Sequence, residues 1–258
     1  CIDMKIILIG AGNLATQLAV ALQKKGMTPA YIYSRTRESA EQLSERLRDV
    51  PYSTDISRVP TDGDLYIFAV KDSALLDLVS RMPSNRGLWL HTAGSMDMEV
   101  FAPYTARYGV FYPMQTFSKE RETDFDDIPI FVETNHTDDT ERLQKLAGRL
   151  STKVYEATSE QRKYLHLAAV FACNFSNHLY ALCDRILSEH GLPFETMLPL
   201  IRETAAKVAD MPPAQAQTGP AIRYDKNVID KQMALLSDPT MRQIYDLMSR
   251  SIHETNKH

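Results

Sequence analysis

Ile6-Ile7-Leu8-Ile9-Gly10-Ala11-Gly12-Asn13-Leu14-Ala15 is the stretch whose reading decides the fold. Four apolar residues without polar alternation suit a strand buried on both faces of a parallel sheet. The run then breaks into G-x-G-x-x-A, and Leu14 to Lys25 reads as a helix with basic residues in its last turn before Gly26. A glycine turn between strand and helix has a specific physical use. Gly10 permits the tight turn, Gly12 lets backbone approach a pyrophosphate, and the small Ala15 allows close helix–sheet packing. The helix N-terminus adds free N–H groups and a partial positive charge. Gly10, Ala11, Gly12, Asn13 and Leu14 are therefore candidate dinucleotide contacts.

Working outward, Ala30-Tyr31-Ile32-Tyr33 reads as a second strand that ends in Ser34-Arg35-Thr36. An NAD-binding chain usually places an acidic residue there for the ribose hydroxyls. Here the hydroxyls of Ser34 and Thr36 and the guanidinium of Arg35 stand instead, with Arg37 a candidate helper. That set suits a 2′-phosphate, so the expected cofactor is NADP. Strand and helix signals keep alternating. Leu65–Val70, Leu88–His91, Gly109–Tyr112 and Ile130–Val132 read as strands, while Glu38–Leu47, Ser73–Arg81 and Thr140–Leu150 read as helices. The order predicts an α/β fold, a Rossmann-type doubly wound, mostly parallel sheet.

The pattern changes near Thr158. From there to His190 neither Gly nor Pro occurs, Thr158 and Gln161 form a capping box, and Gly191 supplies the stop. This predicts one helix about 50 Å long. Its apolar stretch, Leu165 to Cys183, carries too many polar groups for lipid and reads as a buried helix of a globular protein. Helices over Phe194–Asp210, Asp225–Leu236 and Thr240–Thr255 are expected to follow, with a Pro-rich turn at Met211-Pro212-Pro213. The expected division is an NADP-binding Rossmann-like domain at 1–156 and an all-α substrate or dimerisation domain at 157–258.

Composition sets the limits. The 258 residues are 44% hydrophobic and 24% charged, and 29 Lys and Arg against 33 Asp and Glu leave a net charge of −4. This is an ordinary globular composition with no basic field to attract nucleic acid or an anionic membrane. Cys1, Cys173 and Cys183 cannot all pair and have no C-x-x-C spacing, which argues against a disulfide framework or a zinc ribbon. No signal peptide is read in Cys1-Ile2-Asp3-Met4-Lys5, and the cytoplasm is the simplest compartment.

Ligands of open α/β sheets bind beyond the carboxyl ends of the strands. Ala69, Val70 and Lys71 after one strand, and Thr92, Ala93 and Gly94 after the next, are expected to flank the ribose and nicotinamide. Gln115 and Thr116 after a later strand are candidate substrate donors, with turn chemistry around Pro113 the equal alternative. On an ideal α-helix His166, Cys173 and Asn177 fall within about 20° of one stripe, with Asn174 about 80° away. His166 is thus a candidate general acid and base, Asn174 a candidate orienting amide and Lys71 a further catalytic candidate, although packing or a dimer seam would use the same helix residues. Arg223 could clamp a substrate carboxylate or form a salt bridge, and Asp225 is expected to cap a helix. No metal is expected, since no third ligand has usable spacing.

The glycine motif, Ser34-Arg35-Thr36 and Ala69-Val70-Lys71-Asp72 together resemble the reductases that include pyrroline-5-carboxylate reductase and the deazaflavin-dependent NADP oxidoreductases. His91-Thr92-Ala93-Gly94-Ser95, Tyr112-Pro113-Met114-Gln115-Thr116-Phe117, His166 through Asn174, and Thr218-Gly219-Pro220 with Arg223 and Asp225 are similar to a bacterial family that joins a Rossmann-like domain to a helical domain of unknown function. The pattern departs at Tyr224, where a Gly commonly precedes the Asp, and at Gln232, where a His is common. The resemblance implies an NADP-linked oxidoreductase-like protein. Two readings follow: a reductase or dehydrogenase passing hydride between nicotinamide and a small carbonyl or imine, with homodimerisation through the helical domain, or a non-catalytic NADP-binding sensor or scaffold. Turnover-linked absorbance change separates them.

Overall fold

The apolar run Ile6–Ile9 forms β1, buried along its whole length, and the glycine turn delivers the chain into α1 (Asn13–Lys24). The computed structural model describes residues 4–256, so Cys1 and the reading of residues 1–3 lie outside the described residues. The chain continues through β2 (Tyr31–Tyr33), α2 (Arg37–Arg46), β3 (Tyr52–Ser53), β4 (Leu65–Phe68), α3 (Asp72–Arg81), β5 (Leu88–His91), β6 (Tyr108–Pro113), β7 (Ile130–Thr134), α4 (Thr137–Leu150) and β8 (Val154–Glu156). The strands make one sheet in the order β3-β2-β1-β4-β5-β6-β7-β8. Neighbouring strands are parallel except for the antiparallel pair β6 and β7. The expected doubly wound sheet is present, with β3 and β8 as two short strands that the sequence reading left out.

Successive side chains of a strand point to opposite faces, so β1 feeds two cores. Ile6 and Leu8 pack with Leu18 and Leu22 of α1. Ile7 and Ile9 pack with Tyr66, Phe68, Trp89 and Phe101 on the other face. The buried side chain of Gln17 fastens a long loop to α1: its Nε2 donates to the Ser118 carbonyl at 2.7 Å, and its Oε1 accepts from the Thr123 N–H at 3.1 Å. Chain reversal between β2 and β4, on either side of β1, opens a crevice at the carboxyl ends of these strands.

The chain divides into two compact units, Cys1–Cys173 and Asn174–His258. Beyond the sheet come α5 (Ser159–Ala169), α6 (Ser176–Glu189), α7 (Leu198–Asp210), α8 (Pro213–Ala216), α9 (Lys226–Ala234) and α10 (Pro239–Thr255). The capping box opens α5 as expected: Thr158 Oγ1 accepts from the Gln161 N–H at 3.2 Å, and Gln161 Oε1 accepts from the Thr158 N–H at 3.0 Å. The single long α-helix does not follow. A π-helical turn over Val170–Phe175 joins α5 to α6. Its i to i+5 bonding takes up an extra residue, so the ideal-helix spacing behind the expected stripe does not hold through this turn.

The expectation of a buried helix is also corrected. No residue from Val170 to Glu189 is buried. Tyr164 and Leu167 are 67% and 53% exposed, and Leu179 and Ile186 are 37% and 40% exposed. Hydrophobicity in the sequence is not by itself evidence of burial.

Within the second unit, Arg185 Nη1 meets Asp238 Oδ2 at 2.9 Å and ties α6 to the start of α10. Gln232 accepts from the Tyr245 hydroxyl at 2.6 Å, linking α9 to α10. Asp225 caps α9, accepting from the Val228 N–H at 3.4 Å. Tyr224 has φ of 50°, the left-handed region that favours glycine, at the position where the resembling family commonly has Gly. Among the described residues no helix is long and apolar enough to cross a membrane, and no group of three or more His, Cys, Asp or Glu side chains is placed to hold a metal ion.

Candidate nucleotide and active site

The glycine turn lies at the carboxyl end of β1. Gly10 has φ of 123°, and a side chain there would run into the Ala69 carbonyl of the neighbouring strand end. Gly12 has the opposite surroundings: a Cβ built on it meets nothing within 4 Å. It is the N-cap of α1, whose first turn carries no acidic residue and no side-chain cap. The free N–H groups of that turn are left for a ligand anion.

Gly10, Ala11 and Gly12 border a cleft of about 570 Å³ together with Ser34, Arg35, Thr36, Ala69, Val70 and Lys71. Three separate strand ends thus meet at one cleft, among them the ends that carry the candidate dinucleotide contacts. Asn13 and Leu14 open α1 but do not line this cleft. The Ser34 hydroxyl is buried and accepts from the Thr36 N–H at 3.4 Å, which shapes the end of β2. Arg35 is exposed, and among the described residues no carboxylate pairs with it. Arg37, the candidate helper, bonds instead to Glu41 at 2.8 Å on its own helix. Lys71 is exposed at the N-cap of α3, and Lys119 adds a further cation to the rim. Unpaired cations with no acid at the end of β2 suit a phosphorylated ribose, and the open space above Gly12 suits a pyrophosphate.

Thr92, Ala93 and Gly94 follow β5, next to this cleft in the sheet order. Ser95 Oγ donates to Asp72 Oδ2 at 2.6 Å, linking this loop to the start of α3. Two further groups fix the loop. His91 is fully buried; its Nδ1 accepts from the Ala93 N–H at 3.1 Å, so Nε2 carries the proton and donates to the Asp97 carbonyl at 3.2 Å. Burial pushes its pKa down to about 4, and the nearby Arg162 charge acts in the same direction. Arg162 of α5, 1% exposed, donates from Nε to the Ala93 carbonyl at 3.1 Å and from Nη2 to the Met96 carbonyl. Its Nη1 reaches Glu133 Oε2 at 2.8 Å, so the buried charge is paired.

One turn after Arg162 on the same face of α5 comes His166. A Cβ on Gly94 would lie 2.6 Å from His166 Nδ1, so the ring approaches the loop as closely as only a glycine allows. On its other side the Tyr112 hydroxyl of β6 stands 3.3 Å from the same nitrogen. Tyr112 is buried, and burial pushes its phenol pKa up while the Arg162 charge opposes that shift.

The structure therefore brings His166 to Gly94 and Lys71 to the glycine-turn cleft. Gln115 and Thr116 line a separate cleft of about 560 Å³ with Arg121 and Asp124. There the Gln115 side-chain oxygen is engaged by the Thr116 N–H at 2.9 Å. Asn174 and Arg223 belong to the second unit, and both are exposed. Another cleft, of about 440 Å³, lies at the amino ends of the strands and includes Arg107, Asp139, Arg142 and Lys145. Its buried carboxylate, Asp139, is already satisfied by Arg107. Sequence reasoning assigned no site role to Tyr112, Arg162, His91 and Glu133, although His91 and Tyr112 stand in stretches that carry the family resemblance. The four-residue spacing of Arg162 and His166 is the signal that could have found the first clamp; the others depend on which strands become neighbours.

Two family descriptions match the chain: "Shikimate / quinate 5-dehydrogenase" over residues 1–75 and "Domain of unknown function (DUF2520)" over residues 128–252. No curated protein matches it. Among solved structures, a Bacteroides fragilis protein named as a candidate NADP oxidoreductase is 52% identical, with 98% of each chain covered and a TM-score of 0.91. An Aspergillus terreus reductive aminase solved with NADPH and ethyl levulinate is 17% identical, with 98% of this chain and 95% of that one covered and a TM-score of 0.74. A Coxiella burnetii pyrroline-5-carboxylate reductase is 16% identical, with 99% and 98% covered and a TM-score of 0.60. The last two share the fold. By its likeness to the first, and by the two matched regions, this chain belongs to the family that joins a Rossmann-type nucleotide-binding domain to the domain of unknown function DUF2520.

Proposed function

We propose that the protein is an NADP-dependent oxidoreductase acting on a small carbonyl or imine compound. The observation that carries this reading is the placement of His166 against Gly94, at the same end of the sheet as the glycine turn. The names of the relatives, an NADP oxidoreductase of the same family and two reductases of the same fold, point the same way.

Gly10, Ala11 and Gly12 would hold the pyrophosphate, Ser34, Arg35 and Thr36 the 2′-phosphate, and the Ala69–Lys71 and Thr92–Gly94 loops the remaining ribose and the ring. NADPH, when bound, supplies the hydride. His166 supplies the proton to the oxygen or nitrogen attached to the carbon that gains the hydride. Its exposure lets it exchange that proton with water. His91, Arg162 and Ser95 hold the loop so that the imidazole meets a fixed surface. Lys71, at the rim of the same cleft, offers a cation to a phosphate or to a substrate oxygen.

The free thiols of Cys173 and Cys183 fit a reducing cytoplasm. The uncovered apolar side chains along α5 and α6 fit a homodimer built through the helical region. The function is tested by following reduced nicotinamide absorbance with NADPH against a panel of small oxo acids, ketones and cyclic imines. Turnover by the wild type, lost by roughly 10²–10⁴-fold in His166→Gln, is the expected result. Tight NADPH binding without turnover on any member of the panel favours the sensor or scaffold reading.

A further inference from the structure

Tyr112 lies outside the motifs that suggested a nucleotide site, yet it is the residue whose hydroxyl faces His166. The imidazole is held from two directions. Gly94 gives it a surface without a side chain, and Tyr112 Oη stands 3.3 Å from Nδ1, with the two rings at 67°. Among the described residues no other hydrogen bond to the Tyr112 hydroxyl or to either ring nitrogen of His166 is present. Nδ1 is therefore engaged and Nε2 is open.

We propose that Tyr112 is a positioning residue that accepts a hydrogen bond from His166 Nδ1–H and so assigns proton transfer to Nε2. This rests on the reading of His166 as proton donor. A tyrosine hydroxyl can donate or accept, but the two arrangements differ over a reaction cycle. The imidazolium carries protons on both nitrogens. When Nε2 gives its proton to the substrate oxygen or nitrogen, the neutral ring keeps the proton on Nδ1. The bond to Tyr112 then survives the transfer unchanged, and Nε2 regains a proton from water. If Tyr112 donated to Nδ1 instead, the bond would have to reverse at each protonation of the ring. The proton balance is complete: the substrate carbon gains hydride from NADPH, its heteroatom gains the Nε2 proton, and NADP⁺ leaves. Burial keeps the phenol in its neutral form, able to accept without becoming a counter-ion.

The experiment combines ¹⁵N NMR of His166 in the full-length protein with NADPH turnover on the best member of the carbonyl and imine panel. In the wild type the neutral ring is expected to be the Nδ1–H tautomer. Tyr112→Phe is expected to move it to Nε2–H, with the thermal midpoint held, kcat lowered about 10- to 100-fold and KM little changed. That loss sits at or below the roughly 10²–10⁴-fold cost of removing a proton donor outright. A wild-type ring protonated on Nε2 overturns the proposal, and so does a Tyr112→Phe protein with both tautomer and kcat unchanged. Failure of the broader reading looks different: His166→Gln then turns over like the wild type, and the role of Tyr112 in proton transfer falls with it.

Discussion

The sheet unit and the helical unit solve the problem of stability differently. In the first, β1, β4, β5 and β6 are buried along their whole length, and the buried polar groups Arg162, His91 and Gln17 are each satisfied by named partners. In the second, the buried apolar side chains among the described residues are Ala221, Ile229 and Met241. Fully burying a large apolar side chain contributes about 1.5–3 kcal/mol, while ordering each residue costs about 1–2 kcal/mol. A unit with so few buried apolar side chains gains little from its own interior. The comparison teaches that the first unit satisfies its apolar and polar groups internally, while the second leaves most of its apolar side chains uncovered, which is what the proposed homodimer would cover.

The largest effect is expected from the clamp in the sheet unit. Arg162→Met removes the guanidinium from four acceptors and leaves Glu133 without its cation, which should cost about 3–5 kcal/mol. Denaturant unfolding measures it. A change below 1 kcal/mol would break the claim that this unit depends on internal polar clamps.

His91 sharpens the same claim through pH. Its folded pKa of about 4 lies below the ordinary 6.5, so the unfolded chain binds the proton first as pH falls. Stability from this group is whole above pH 6.5, declines between about 6.5 and 4, and levels off below that. The total loss is roughly 3 kcal/mol at about 1.4 kcal/mol per pH unit. The groups around the ring are Arg162, Asp97 and Asp72. His91→Asn should flatten this part of the stability–pH curve, while a curve unchanged in the variant would remove His91 from the account.

For the helical unit the corresponding test is Leu179→Glu. On a surface that stays exposed, such a change falls within about 0.5 kcal/mol. On a face covered by a second copy it should cost about 2–3 kcal/mol and shift sedimentation from dimer towards monomer. A monomeric wild type at high micromolar concentration would break the comparison at its root.

What was legible in the sequence follows the same division. β1, the glycine turn and α1 were readable because they depend on local apolar pattern and turn chemistry. β3 and β8 were not, since two- and three-residue strands carry no period and form only by pairing with a neighbour. The π turn at Val170–Phe175 was hidden because an apolar helical run looks the same with or without one extra residue. His166 was readable as a polar side chain in an apolar helix, whereas Tyr112 joined it only once β6 had taken its place in the sheet. Burial of the long helix was misread because hydropathy records the demand for cover and not its source.

The account turns on the proposed contact between a 2′-phosphate and Arg35 at the end of β2. Arg35 is exposed on the rim of the glycine-turn cleft, and among the described residues no carboxylate pairs with it. The most direct measurement is calorimetric titration of the wild type and Arg35→Ala with NADPH and with NADH. Loss of a charged hydrogen bond, about 1.5–3 kcal/mol, predicts NADPH affinity about 10- to 100-fold weaker in the variant and NADH affinity nearly unchanged. Equal losses for both cofactors, or a wild type that binds NADH as tightly as NADPH, would contradict it.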